Sequence, residues 1–186
     1  MEETIYLAGG CFWGVERFFS QFDGITTQVG YANGKTENPT YEQVCRAGTD
    51  HAETVKVTYD PKKVSLPQIL EAYFEIVDPT SVNRQGNDTG RQYRTGIYYT
   101  NARQKEVADI MIDWLQAHYA KPIAIEVVPL MHFYPAEEYH QAYLYKNPNG
   151  YCHIGARYFS AKLAPMSELL KEIPALQAYY PQNQPE

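Results

Sequence analysis

The segment "LAGGCFWGVERFF" (Leu7 to Phe19) sets a cysteine between glycines and follows it with two large aromatics. A short strand runs into Gly9-Gly10 and a helical pattern starts beyond, so Cys11 falls at or just before a helix N-terminus. The unpaired N–H groups and the dipole at such an end favour an anion. The position is therefore expected to lower the thiol pKa and make Cys11 a nucleophile rather than a buried structural cysteine. Gly10 and Gly14 permit close approach of backbone and substrate. Phe12 and Trp13 lie outside the apolar stripe that begins at Val15, so they are expected to wall a substrate pocket rather than a helix–sheet interface.

The second reactive group is a carboxyl. In "ETVKVTYD" (Glu53 to Asp60), strand alternation puts Glu53 on the face of Val55, Val57 and Tyr59, with Thr54, Lys56 and Thr58 opposite. Burial disfavours the charged form, so Glu53 is expected to stay protonated near neutral pH and to serve as a proton donor. The third group is Cys152 in "NPNGYCHIG", where Pro148 and Gly150 flank an arm able to swing a second thiol towards Cys11.

A thiol beside an acid serves a cysteine hydrolase, a peroxidase or an oxygen-transfer reductase. A hydrolase needs a histidine base, for which His51 is the candidate, and has no use for a second thiol. A thiol that becomes sulfenic acid needs a resolving partner. A non-enzymatic thiol redox switch is the alternative from another class. Glu137, Glu138 and His140, with His132 or His153, could be read as metal ligands, but no HExxH is present and a structural or supporting role is expected.

These groups need elements to carry them. "TIYLA", "ITTQVGY", "ETVKVTYD", "TGIYYT" and "IAIEVVPL" read as strands. Val15, Phe18, Phe19 and Phe22 mark the first helix. Ser65 and Gln68 form a capping-box pattern before a helix with Ile69, Leu70, Tyr73, Phe74 and Val77 on its stripe. Asn101 and Gln104 open another, with Val107, Ile110, Met111, Trp114 and Leu115 inward. "AEEYHQAYLYK" reads as helical, as does the segment holding Cys45, which is expected to be structural. Asp78 to Arg94 is a long polar loop of the kind that tends to carry function. Helices alternating with strands that keep one polar face imply an α+β fold: a two-layer α/β sandwich with a mixed sheet, a ferredoxin-like plait, ending in an irregular C-terminal segment. Residues 1–163 are expected to form a single catalytic domain and residues 164–186 a C-terminal extension.

Composition narrows the partners. A chain of 186 residues suits one domain, burying roughly 70% of the surface its unfolded form exposes. The net charge of -6 argues against a nucleic-acid partner. No apolar run is long enough to span a bilayer, and acids stand where a secretory signal carries cations, so a cytoplasmic location is expected. Three cysteines without CxxC make no disulfide framework. Tyrosine is the outlier, with 17 residues.

"GCFWGVE" resembles the signature of the peptide methionine sulfoxide reductase A family, whose members reduce the S epimer of methionine sulfoxide. "GYANG", "NPTYEQVC", "HAETVKVTYDP", "NRQGNDTGRQYRTGIY" and "EEYHQAYLYKNPNGYC" are similar to further family segments in family order, together covering roughly residues 5 to 155. The resemblance implies Cys11 as nucleophile and Phe12 and Trp13 as the wall against the sulfoxide methyl. It implies Glu53 as the acid, Tyr41 and Tyr93 as donors to the sulfoxide oxygen, Asp88 as a pocket residue and Cys152 as the resolving cysteine. It also implies thioredoxin as reductant, oxidised proteins or free methionine sulfoxide as substrate, and no metal or organic cofactor. Some relatives carry a further recycling cysteine downstream; here only Met166 brings sulfur after Cys152. Thioredoxin is thus expected to attack a Cys11–Cys152 disulfide directly. The stretch from Ala164 onward matches no family segment.

Overall fold

The structure, a computed structural model, describes residues 1–181. In chain order the elements are β1 (Glu3–Gly9), α1 (Phe12–Phe19), β2 (Ile25–Ala32), α2 (Tyr41–Arg46), β3 (Ala52–Tyr59) and α3 (Leu66–Ile76). A short hairpin follows, β4 (Arg84–Gln85) with β5 (Asp88–Thr89), then β6 (Thr95–Tyr99), α4 (Ala102–Gln116), β7 (Glu126–Pro129) and β8 (Phe133–Pro135). The short α5 (Tyr143–Lys146) and α6 (Met166–Glu172) complete the set. The helices α2, α3 and α4 each start where a side chain can take an orphan N–H. Thr40 with Gln43, and Ser65 with Gln68, close full capping boxes, and the Asn101 side chain accepts from Gln104 N at 2.9 Å.

Six strands form one sheet in the order β7-β6-β1-β3-β2-β8. β1 and β3 are antiparallel neighbours, β2 and β6 pair antiparallel outside them, and β7 alone runs parallel, to β6. That parallel pairing requires the crossover supplied by α4. The sheet is therefore mixed and mostly antiparallel. Register aligns Ile5 with Val57, Leu7 with Val55 and Ile97, Ile25 with Tyr59, and Tyr31 with Glu53. Those residues share one face, and α1 and α3 bury their stripes against it to make the main core. The other face carries only a small cluster of Ala8, Ala32, Ala52 and Tyr98. Alternation with one covered face is what confines the helices to a single layer.

Three sequence expectations are corrected. The C-terminal segment is not irregular: α6 is a regular helix, and 3-10 turns cover Ala156–Ser160 and Pro174–Ala178. Leu169, Leu170, Ile173 and Leu176 recur at helical spacing and are buried, and Gln68 Nε2 donates to Ala164 O at 2.9 Å to hold the segment on α3. Of the extension from residue 164, positions 182–186 lie outside the described residues. "AEEYHQAYLYK" is two pieces, a 3-10 turn at Glu138–His140 and α5, because Ala142 takes a left-handed conformation at φ 52°. Glu16 compensates for that conformation by accepting Ala142 N at 2.7 Å. On α4, Val107, Met111 and Leu115 are buried, whereas Ile110 and Trp114 are only half-buried. Among the described residues no helix is long and apolar enough to cross a membrane.

Candidate active site

β1 ends at Gly9, and Gly10 at φ +90° turns the chain into α1. Cys11 is the N-cap of α1 and makes no side-chain capping bond. The corner is fixed from below by Tyr73 of α3, whose hydroxyl donates to the Ala8 carbonyl. The thiol is 5% exposed. Burial pushes its pKa well above the ordinary thiol value; Glu53, Asp88 and Cys152 push the same way, and only the Trp13 backbone N–H opposes them. The sequence expectation of a lowered pKa is therefore corrected. The helix end does stabilise the thiolate, but desolvation in an acid-lined crevice outweighs it, and Cys11 rests as a neutral thiol.

Glu53 sits where alternation placed it, on the helix-covered face opposite Tyr31, and is 1% exposed. Its Oε1 accepts Phe12 N at 3.3 Å, and Oε2 has no partner among the described residues. Burial raises its pKa to about 8, against the Phe12 N–H, which lowers it, and with the Asp88 charge, which raises it further. A carboxylic acid held neutral at pH 7, one residue from the nucleophile's backbone, is a ready proton donor.

Phe12 and Trp13 form a wall with partners from three other segments. The Phe12 ring stacks at 6.4 Å from Tyr41 of α2 and lies 5.8 Å from Tyr31 and 5.3 Å from His140. Trp13 stacks on Tyr143 at 3.8 Å, and its Nε1–H donates to His140 Nδ1 at 2.9 Å. His140 is buried and its pKa is lowered by burial, so it stays neutral and keeps that lone pair available. Glu137 accepts from Tyr41 N at 3.0 Å and from the Tyr31 hydroxyl at 2.8 Å, joining α2 to the same segment. Burial and then the Glu53 charge raise the pKa of both Tyr41 and Tyr93, so both phenols stay protonated beside the acid. Asp88 of β5 accepts from the Tyr151 hydroxyl at 2.9 Å, tying the polar loop to the Cys152 arm.

Cys152 arrives through Gly14. A Cβ built on Gly14 would stand 2.9 Å from Cys152 Sγ and 3.2 Å from Ile154 Cδ1. The thiol itself donates to the Ile154 carbonyl at 3.1 Å, and burial raises its pKa. The glycine of the first helical turn thus makes room for the second sulfur. Glu53, Asp88 and Cys152 all lie close enough to act on the Cys11 thiol, Tyr41 and Tyr93 feel the Glu53 charge, and Phe12 and Trp13 follow Cys11 directly in the chain. Cys45, on α2, is half-buried, and burial raises its thiol pKa.

His51 does not join them. Its Nδ1 accepts from Gly34 N at 3.0 Å and its Nε2 bonds the Thr36 carbonyl at 2.7 Å, which commits both nitrogens to the loop after β2 and removes His51 as the base a hydrolase would need. Among the described residues no three His, Cys, Asp or Glu side chains gather to hold a metal ion. Sequence reasoning missed Glu16, read Gly14 as making room for substrate rather than for the second sulfur, and gave His140 a structural or supporting role without its partner Trp13. A half-buried indole N–H needs an acceptor, and with five histidines in the chain that requirement was the available signal for His140.

The model for the peptide methionine sulfoxide reductase family matches residues 3–169. The chain is 57% identical over 166 residues to a peptide methionine sulfoxide reductase MsrA of Lachnoclostridium phytofermentans, covering 88% of this chain and 100% of that one. Among solved structures it resembles reduced Mxr1 of Saccharomyces cerevisiae at a TM-score of 0.76 and 42% identity, over 81% of this chain and 88% of that one. It also resembles Mxr1 in complex with Trx2, at a TM-score of 0.53 and 29% identity, over 76% of this chain and 84% of that one. With a crevice that joins a capping thiol, a neutral acid and a second thiol, the chain belongs to the peptide methionine sulfoxide reductase family of oxidoreductases.

Proposed function

We propose that the chain reduces the S epimer of methionine sulfoxide, in oxidised proteins and as the free amino acid, with Cys11 as nucleophile. The observation that carries this reading is Glu53, buried and neutral at pH 7 against the backbone of Phe12. A sulfoxide oxygen leaves poorly until it is protonated. Glu53 supplies the proton while the Tyr41 and Tyr93 hydroxyls stabilise charge developing on oxygen. Phe12 and Trp13 take the methyl, and Asp88 helps to frame the pocket. The neutral resting state of Cys11 fits this order: the thiol gives up its proton as the sulfoxide oxygen gains one, so no free thiolate accumulates beside the acids.

The Cys11 sulfur attacks the sulfoxide sulfur, methionine departs, and the oxygen remains on Cys11 as sulfenic acid. Cys152 displaces that oxygen as water, giving a Cys11–Cys152 disulfide. A dithiol then reduces the bond by thiol–disulfide exchange. The Mxr1 complex with Trx2 supports thioredoxin in that role. Met166 is the only sulfur-bearing residue after Cys152 in this sequence, which supports direct attack on this disulfide without a relay. No cofactor enters these steps, and the net charge of -6 supports a partner list without nucleic acid. Three cysteines without a CxxC support a reducing, cytoplasmic setting. The order β6-β1-β3-β2, reached through α1 and α3, supports a ferredoxin-like plait within residues 1–163.

The test is epimer-resolved turnover of racemic N-capped methionine sulfoxide with dithiothreitol. The reading expects consumption of the S epimer alone, and none by Cys11→Ser. Consumption of neither epimer, with the thiols confirmed reduced, overturns it; a disulfide formed by peroxide without methionine then identifies a redox switch.

A further inference from the structure

The arm that carries Cys152 is held at a second point. His153 Nε2 lies 3.0 Å from the Gly9 carbonyl oxygen. A carbonyl only accepts, so Nε2 bears the hydrogen and Nδ1 the lone pair. The imidazole occupies a slot of the Cys11 corner: a Cβ on Gly10 would stand 3.1 Å from His153 Nε2 and 2.7 Å from Gln85 Cβ, and one on Gly86 would touch His153 Cβ at 3.5 Å. Cys152 Sγ meanwhile rests against Gly14. Gly10 and Gly14 stand on either side of Cys11, so the Cys152-His153 pair straddles the nucleophile.

We propose that His153 is a positioning residue for the resolving step, its single bond to Gly9 holding Cys152 in register beside Cys11. The inference rests on the reductase reading and adds to it the residue that times the second step. In that step the Cys152 sulfur forms the S–S bond and the Cys11 S–O bond breaks. The oxygen leaves as water with its own proton and that of the Cys152 thiol; Cys152 is oxidised and the sulfenic sulfur is reduced. His153 Nδ1 is buried without a hydrogen-bond partner among the described residues. A phenylalanine would fill the slot without leaving a buried acceptor unpaired, so packing alone does not account for an imidazole here. The unpaired nitrogen also favours release: once the arm swings out for reduction, water satisfies Nδ1. The clamp is thus firm enough to set the register and weak enough to open.

The experiment compares the unsubstituted protein with His153→Phe, which fills the slot without a donor, and His153→Gln, which keeps one. Rapid-quench single turnover with the S epimer reads two events, release of methionine and formation of the Cys11–Cys152 disulfide. The expected result is methionine release at an unchanged rate in all three proteins. Disulfide formation should slow about five- to tenfold in His153→Phe, the loss of one net hydrogen bond, with recovery in His153→Gln. An unchanged disulfide rate in His153→Phe overturns the inference, as does an equal slowing of both events, which marks a merely structural role. A missing methionine burst in the unsubstituted protein overturns the reductase reading and this inference with it, so the two failures are told apart by that control.

Discussion

Replacing Glu53 by glutamine should make the protein more stable, and increasingly so as pH rises. The acid titrates at about 8 in the fold and near 4.3 in an unfolded chain. Between those values the folded state holds a proton that the unfolded state has lost, so stability falls with rising pH across that window. The penalty is about 1 kcal/mol at pH 5 and about 3.6 kcal/mol at pH 7, at 1.36 kcal/mol per unit. An amide is neutral at every pH and can still accept Phe12 N through its oxygen, so Glu53→Gln removes the penalty and keeps the bond. For a chain of this length about 3.6 kcal/mol corresponds to roughly 7–14 °C in Tm. Thermal or urea unfolding of both proteins from pH 5 to 8 measures the gap, and the titrations of His51, His140 and His153 are common to both and cancel. A gap that does not widen with pH refutes the raised pKa. Activity tests the role in catalysis. Glu53→Gln keeps a hydrogen-bond donor to the sulfoxide oxygen though not the acid proton and should retain much of the activity, with the Cys11 thiol then the remaining proton source. Glu53→Ala keeps neither and should lose far more; equal losses contradict the hydrogen-bonding part of the role.

Two further outcomes follow from the crevice. Gly14→Ala puts a methyl 2.9 Å from the resting position of Cys152 Sγ; it should leave methionine release largely intact while slowing disulfide formation several-fold, as rapid-quench thiol counting reads. His140→Phe removes the acceptor of the Trp13 indole N–H, and steady-state kinetics should show KM raised more than kcat is lowered, since the wall binds the methyl without taking part in proton transfer.

Much of this site was legible because its signals are local. The glycine-flanked corner placed Cys11 at the start of α1, and period-two alternation placed Glu53 on the covered face. Both depend on backbone geometry within a few residues. The state of the Cys11 thiol was not legible, because it depends on three groups distant in sequence, Glu53, Asp88 and Cys152, and on burial that only the assembled fold creates. Tyr41 and Tyr93 were singled out from 17 tyrosines only by resemblance, since nothing local distinguishes a pocket phenol from a half-buried one. The break at Ala142 went unread because its left-handed backbone is stabilised by Glu16, more than a hundred residues earlier. The helix α6 had a readable stripe, masked by the Pro165 that serves as its N-cap.

The central claim is that oxygen passes from the sulfoxide to Cys11. Cys152→Ser, lacking the resolving thiol, tests it most directly when mixed with a stoichiometric amount of the S epimer and no reductant. The account predicts one methionine per protein and a single added oxygen on the peptide containing Cys11, located by mass spectrometry and trapped by a sulfenic-acid reagent. Methionine formed without that oxygen on Cys11 would contradict it, and sustained turnover when thioredoxin is added would show that Cys152 is not the sole resolver.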